Sequence, residues 1–485
     1  MDETISKDGL ILDRGVERPS SSRHRILGLV AVLLGQFMLV LDATVVNVAL
    51  PSIQGDLGLS QVELTWITSS YMIAFGGLLL LFGRLSDSLG RRRIFVIGVS
   101  AFTLASIACG IAPTAVTLII ARFAQGIGAA AASSVVLAII ATEFPKAEDR
   151  ARAMSGFMLV SVSGGSLGLF VGGLLTQTLG WHWIFWINVP VGAIALVGVM
   201  RYLPAGAKNL QRKPVDLVGA VLVTAAAMIA IYGLVEAGHT SWTAPAVRTS
   251  LAVALILGVL FIAVESQREN ALLPIRMLRI RSLLVTSIVR SFMVMGLYGV
   301  FFLATLDMSG TLKMSPLEVG LAFLPQTLTV AVLSLGVTAT LVRRFGPVRV
   351  MIFGLAVAAI GLSGMAMLAI DEPYFPLRAL LHVVLGLGFG SAFLPLLTLA
   401  MGDVPPQDAG LGSAIVNLSM QLAGAVSIPL LMTAASYRTR SLIEAGAPLS
   451  SSIVHGYRFA YVIGVVGILV GLSLGAALLR ERKPV

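Results

Sequence analysis

Apolar residues run for about 20 positions at a stretch, and they do so fourteen times along this chain. A helix needs about 20 such residues to cross the hydrocarbon core of a bilayer. The first six runs cover 26–49, 66–85, 94–111, 115–141, 153–179 and 184–202. Two more cover 217–235 and 246–264. The last six cover 283–306, 319–342, 348–370, 377–401, 411–435 and 459–479. Of all residues 57% are hydrophobic and 12% charged, against about 45–50% and about 25% for a soluble domain. That excludes a soluble globular protein, a disordered chain and a nucleic-acid-binding domain. What remains is an all-α polytopic membrane protein.

The formal net charge of +10 matters less than where the basic residues stand. With the N-terminus placed in the cytoplasm, most of the 34 Lys and Arg fall in the N-terminal tail, in inner loops or in the C-terminal tail. Arg91, Arg92 and Arg93 lie in one such loop, and Arg276, Arg279 and Arg281 in another. This asymmetry is the positive-inside pattern, and it puts both termini on the cytoplasmic side with an even number of spans. Arg438, Arg440 and Arg458 in an outer loop run against it.

The chain also repeats itself. Gly90, Arg93 and Gly98 match Gly346, Arg349 and Gly354, and Arg122, Gly126 and Gly128 match His382, Gly386 and Gly388. Glu143, Pro145 and Glu148 match Asp403, Pro405 and Asp408. Two similar halves are a common transporter design. The repeat is longer than six spans require, so the runs at 217–235 and 246–264 read as an insertion. The expected organisation is a cytoplasmic tail (1–25), a six-helix bundle (26–202), a two-helix insertion with its flanking loops (203–282), a second six-helix bundle (283–479) and a short cytoplasmic tail (480–485).

Ionisable residues inside a membrane are costly and mark function by default. Asp42 lies about 16 residues into the first run, roughly 24 Å from its inner end. A carboxyl there is poorly hydrated and is a candidate proton exchanger, or else a packing residue near the outer surface. Arg122 stands early in the fourth run with Gln125, Gly126, Ala129 and Ala130 behind it, suited to hold a carboxylate or backbone carbonyls. Arg290 can snorkel to the inner interface. Gly83 to Arg93 joins the second and third runs as a loop containing Asp87, Gly90 and Arg91. The fifth run carries Gly164, Gly165, Gly168, Gly172 and Gly173, a flat face for close helix contact. Ser413, Asn417, Gln421 and Gly424 form one polar stripe at helical spacing, which lines a substrate cavity or joins helices. Asp307 and His382 lie nearer an outer end, where water can reach them.

Two motif matches fail on context. Gly164 to Gly168 fits the hydrolase elbow Gly-x-Ser-x-Gly but has no strand before it. Asn417-Leu418-Ser419 fits a glycosylation sequon inside an apolar run. There is no phosphate-binding Gly-x4-Gly-Lys-Ser/Thr loop and no zinc-protease His-Glu-x-x-His. An enzyme is not expected, nor is a cofactor. Cys109, the single cysteine, reads as an apolar filler.

On these residues the chain resembles the major facilitator superfamily, and more closely its fourteen-helix drug:proton antiporters of the EmrB/QacA type. Leu41 to Pro51 resembles the first-helix motif of that group, and Gly83 to Arg93 the superfamily's loop motif. Arg122 with Gln125 to Gly128 resembles the fourth-helix motif. Gly165 to Gly173, followed by Trp181 to Pro190, resembles the fifth-helix antiporter motif. The resemblance implies a major facilitator fold of two six-helix bundles plus two inserted helices. It implies proton coupling at Asp42 and Arg122, and a conformational switch at Gly83, Asp87, Gly90 and Arg91. It implies an antiporter helix built on Gly165, Gly168, Gly172 and Gly173, and export of hydrophobic or cationic small molecules across a bacterial plasma membrane. Protons and the lipid bilayer are the other partners, with no nucleic acid and no obligate protein partner. Asn417, Gln421 and Asp307 are the substrate-cavity candidates. Asp307 stands where relatives more often carry an aromatic residue, and it reads equally as a counter-charge for cations or as a solvated carboxylate. Leu169 replaces the family's proline after Gly168, which leaves the direction of coupling open. A dedicated transporter of one natural metabolite is the alternative reading.

Overall fold

The computed structural model describes residues 22–144, 146–204, 216–268, 275–369, 372–405 and 408–479. The two terminal tails expected at 1–25 and 480–485 lie almost wholly outside the described residues. The described chain is helical throughout. In order come α1 (Ser22–Leu57), α2 (Gln61–Leu89), α3 (Arg91–Gly110), α4 (Ala115–Glu143), α5 (Ala147–Thr178), α6 (Trp183–Trp186) and α7 (Asn188–Tyr202). Then follow α8 (Leu217–His239), α9 (Pro245–Gln267), α10 (Ile275–Leu278), α11 (Arg281–Gly310), α12 (Pro316–Ala322), α13 (Leu324–Val332) and α14 (Thr338–Phe345). The last four are α15 (Pro347–Met367), α16 (Ala379–Met401), α17 (Ala409–Glu444) and α18 (Leu449–Leu478). Among the described residues eleven helical stretches are long and apolar enough to cross a membrane, so this is a multi-pass membrane protein. The other three expected spans fall on α2, on α5 and on the broken run α12–α14.

Several helices outrun their apolar stretches. The loop expected from Gly83 to Arg93 is mostly helix: α2 continues to Leu89, and Gly90 alone makes the turn into α3. Its φ of 91° lies in the region that favours glycine. Gly346 does the same between α14 and α15, with φ 85°. The wide outer loop expected around Arg438 and Arg440 is also absent, because α17 runs on to Glu444 and carries both arginines. The tenth span is not one helix. Pro325 opens α13, and the chain kinks before α14 at Gly336.

Helix starts are set by side chains that take the free N–H groups of the first turn. Ser60 and Glu63 cap α2 reciprocally, Thr114 and Thr117 cap α4, and Ser315 and Glu318 cap α12. Asp216 Oδ1 accepts from the Gly219 N–H at the start of α8.

Helices α1 to α7 pack on one another, as do α11 to α18. The two groups use the same crossing. A Cβ on Gly98 would stand 2.8 Å from the Gly128 carbonyl oxygen, and one on Gly354 would stand 2.8 Å from that of Gly388. These are the glycines of the sequence repeat, and their lack of side chains lets α3 meet α4, and α15 meet α16, backbone to backbone. Helix α8 lies against both α2 and α17, with Gly77 under Thr224 and the Thr433 hydroxyl donating to the Leu234 carbonyl at 2.6 Å.

Two ends of the molecule can be told apart by contacts. At the near end, where α1 begins, Arg92 donates to the Met200 carbonyl of α7, and Arg276 holds Asp408 with two bonds. At the far end the Trp181 indole donates to Asp56 at 2.8 Å, and α5 meets α12.

Candidate proton-coupling site and its surroundings

Helix α1 carries Asp42 and α4 carries Arg122, and their packing brings both to the middle of the N-terminal group. Asp42 is fully buried and Arg122 nearly so. Arg122 Nη1 donates to Asp42 Oδ2 at 2.6 Å. Gln125, one turn further along α4, donates through Nε2 to Asp42 Oδ1 at 2.8 Å and to Ser106 at 2.8 Å. Its Oε1 accepts from Arg122 Nη1 at 2.6 Å. Asn188, the first residue of α7, donates to Asp42 Oδ1 at 3.0 Å. The guanidinium also lies 4.2 Å from the centre of the Tyr71 ring and donates to the Ile67 carbonyl. A buried ion pair is tolerated only when its remaining lone pairs and protons are satisfied, and here the carboxylate has three donors from α4 and α7. Protonating Asp42 removes the charge that Arg122 answers, so this cluster has two electrostatic states. Neither Tyr71, Ser106 nor the role of Asn188 was legible in the sequence. Ser106 and Tyr71 look like ordinary small or aromatic residues of an apolar run. Asn188 alone gave a signal, as a polar residue between Ile187 and Val189.

The glycines of α5 also find partners. A Cβ on Gly168 would stand 3.0 Å from the Leu41 carbonyl oxygen, and one on Gly172 would stand 2.8 Å from that of Val45, so α5 lies directly on α1 beside Asp42. On its other side a Cβ on Gly173 would stand 2.5 Å from the Pro316 carbonyl oxygen. A Cβ on Gly320 of α12 would stand 2.6 Å from the Leu169 carbonyl oxygen. Gln177 accepts from the Leu317 N–H at 3.2 Å. This seals the far end between the two helix groups. Leu169, in the place of the family's proline, is fully buried. The surroundings of Gly165 lie outside the described residues.

In the switch motif, Arg91 donates to the Ala138 carbonyl at 3.0 Å and to the Thr142 hydroxyl. Among the described residues it is therefore bound within its own helix group. The Asp87 side chain lies outside the described residues. Gly83 sits within α2 with open space around it.

The C-terminal group departs from expectation at three points. Asp307 and His382 are not solvated but buried. Asp307 pairs with Arg378, which stands at the start of the 377–401 run and is itself 2% exposed. His382 Nδ1 donates to Gln326 Oε1 at 2.9 Å. Arg290 does not snorkel: its side chain is buried 5.1 Å from the Phe393 ring centre. The reason is common to all three. These residues sit on helix faces turned toward neighbouring helices, which distance along a span does not reveal. Of the polar stripe, Gln421 is buried with its Cβ against Gly76 of α2, and Asn417 is half-buried. The Ser413 side chain lies outside the described residues. An open cavity of about 320 Å³ lies elsewhere, between the far ends of α17 and α18, lined by Met432, Thr439, Arg440 and Tyr457.

An all-helical multi-pass fold with a buried Asp–Arg pair and two glycine-crossed helix groups defines a membrane transporter. The sequence profile of the Major Facilitator Superfamily matches residues 32–428, and the chain belongs to that family. It is a transporter of that superfamily and not an enzyme. The puromycin resistance protein pur8 of Streptomyces alboniger is 37% identical over 469 residues, covering 95% of this chain and 92% of that one. The MFS-type transporter EfpA of Mycobacterium tuberculosis is 35% identical, covering 94% and 89%. Among solved structures, an auto-inhibited POT family peptide transporter superposes with a TM-score of 0.67 at 17% identity, covering 96% of this chain and 99% of that one. That likeness concerns the fold alone.

Proposed function

We propose that this chain is a proton-coupled exporter of drug-like small molecules, a fourteen-helix antiporter of the EmrB/QacA type in a bacterial plasma membrane. The near end faces the cytoplasm, with both termini there. Helices α1–α7 and α11–α18 are the two six-helix bundles, counting α6 with α7 and α12–α14 as one span each, and α8 and α9 are the insertion. The bundles rock about the seam between them to expose the interior to each side in turn. The observation that carries this reading is the fully buried Asp42, held by Arg122, Gln125 and Asn188. A carboxylate so enclosed by donors is stable when charged. Once protonated it releases Arg122, and α5, lying on α1 through Gly168 and Gly172, feels the change directly. The name of pur8 as a puromycin resistance protein supports an antibiotic as cargo.

The test is uptake of puromycin into inverted vesicles energised by a proton gradient. Wild type is expected to accumulate the drug, and Asp42→Asn to lose gradient-driven accumulation while still binding it. Equal accumulation by the two proteins would remove Asp42 as the coupling site.

A further inference from the structure

Three arginines are buried in this chain among the described residues: Arg122, Arg290 and Arg378. Arg122 holds Asp42, and Arg378 holds Asp307. Among the described residues Arg290 holds no carboxylate. Its Nη2 meets only the Met420 sulphur at 3.5 Å, and its Nε and Nη1 are buried with no hydrogen-bond partner. The whole residue is 7% exposed. A buried guanidinium without a counter-charge is costly, and a site that keeps one is built for a charge that arrives.

The neighbours indicate where that charge arrives. Arg290 stands on α11 between Phe393 of α16 and Met420 of α17. Met420 is followed by Gln421, whose Cβ lies against Gly76 of α2, so the stretch of α17 that Arg290 touches also borders the seam between the two helix groups. Asn417 is three residues before Met420 and shares its side of α17. Ser291, Phe393, Asn417, Ser419 and Met420 are all half-buried although they lie deep within long apolar helices. Asn417 is poor lining for a lipid-facing surface and good lining for a space between helices, while the Ser291 and Ser419 hydroxyls donate to their own helices at Ser287 and Val416.

We infer that Arg290 is the seat for an anionic group of the cargo, a carboxylate on an otherwise hydrophobic molecule. Nη2 is held only by the weak Met420 sulphur and Nη1 is free, so the Nη1/Nη2 edge can turn to a carboxylate with Nε left as a further donor. Asn417 offers an amide donor, and Phe393 and Met420 offer soft apolar walls. The inference deepens the proposed exporter reading and rests on it for the word cargo. It adds carboxylate-bearing molecules to the antibiotic reading, since puromycin itself carries an amine and no carboxylate and leaves this seat unfilled. Among the described residues Asp42 and Asp307 are already answered by arginines, and Arg290 is the buried cation left over.

The experiment is an equilibrium titration, without any gradient, of the purified protein in nanodiscs with dansyl-phenylalanine and with its methyl ester. The two probes differ in the carboxylate alone. Wild type is expected to bind the acid about tenfold more tightly than the ester, the scale of a hydrogen-bonded charge. Arg290→Gln is expected to bind both like the ester, with ester affinity kept. Equal affinities for acid and ester in wild type, or an undiminished preference in Arg290→Gln, overturn the inference. The wild-type comparison stands even where the variant does not fold. Because no proton gradient is involved, failure of antiport at Asp42 leaves this result readable on its own.

Discussion

Gln125 touches both members of the buried ion pair, giving a hydrogen bond to Asp42 and taking one from Arg122. Replacing it with leucine leaves both charges in place and takes away a partner from each. Hydrogen bonds to charged groups contribute about 1.5–3 kcal/mol each, so Gln125→Leu is expected to lose at least that much stability. Thermal unfolding in detergent reads the loss. An unchanged melting temperature would show that the amide is a spectator.

Asp307 and Arg378 invite a double substitution. Removing one partner of a buried pair costs about 3–5 kcal/mol, while replacing both by apolar residues is often neutral. Asp307→Leu and Arg378→Met are each expected to destabilise strongly, and the double variant to recover most of the loss. If the double variant is as unstable as the sum of the singles, the two side chains do not form one unit.

Gly173→Val tests the far-end seal. The added side chain would meet the Pro316 carbonyl, so α5 and α12 must part. A single cysteine at Phe170, beneath that contact, reports the opening through its reaction with a membrane-impermeant maleimide. The native Cys109 is fully buried and gives little background. Labelling several times faster than in the Gly173 parent is expected; equal rates would place the seal elsewhere.

Gly98 and Gly354 occupy matching crossings, so valine at either is expected to overpack by about 1–3 kcal/mol. Melting temperatures of the two variants should fall by similar amounts. A large effect in one and none in the other would mean that the two halves are not built alike.

Glu318 gives a pH prediction outside the apolar spans. Its hydrogen bonds with Ser315 hold the carboxyl below its usual 4.5. A carboxyl lowered on folding adds stability above its unfolded pKa and loses it as pH falls through the folded one. Amide exchange in the first turn of α12 is therefore expected to quicken as pH drops below about 4.5, beyond the intrinsic pH trend. Glu318→Gln should exchange faster at neutral pH and lose that step, while Ser315→Ala, which keeps the backbone N–H bond to Glu318, should only weaken it.

The sequence carried the long apolar helices, eleven of them able to cross a membrane among the described residues, and the glycines of the repeat, because lipid imposes a length on apolar runs and because glycines at helix crossings cannot be replaced cheaply. It placed Asp42 and Arg122 as candidates from burial cost alone. It could not say that they meet, since 80 residues separate them and only the packing of α1 on α4 closes the gap. Nor could it tell a helix face turned inward from one turned to lipid, and so Arg290 and Asp307 were given the wrong surroundings. The break in α12–α14 was hidden for another reason: Pro325 and Gly336 stand in an apolar stretch long enough to pass as one helix.

Helix α8 bridges α2 and α17 along one side of the molecule, tied by Thr433 to Leu234. That flank is therefore curtained off, and a greasy solute wandering in the bilayer meets a wall there. Where α5 meets α12 the helices touch largely through the backbones beside Gly173 and Gly320, so they can part without dragging side chains across each other.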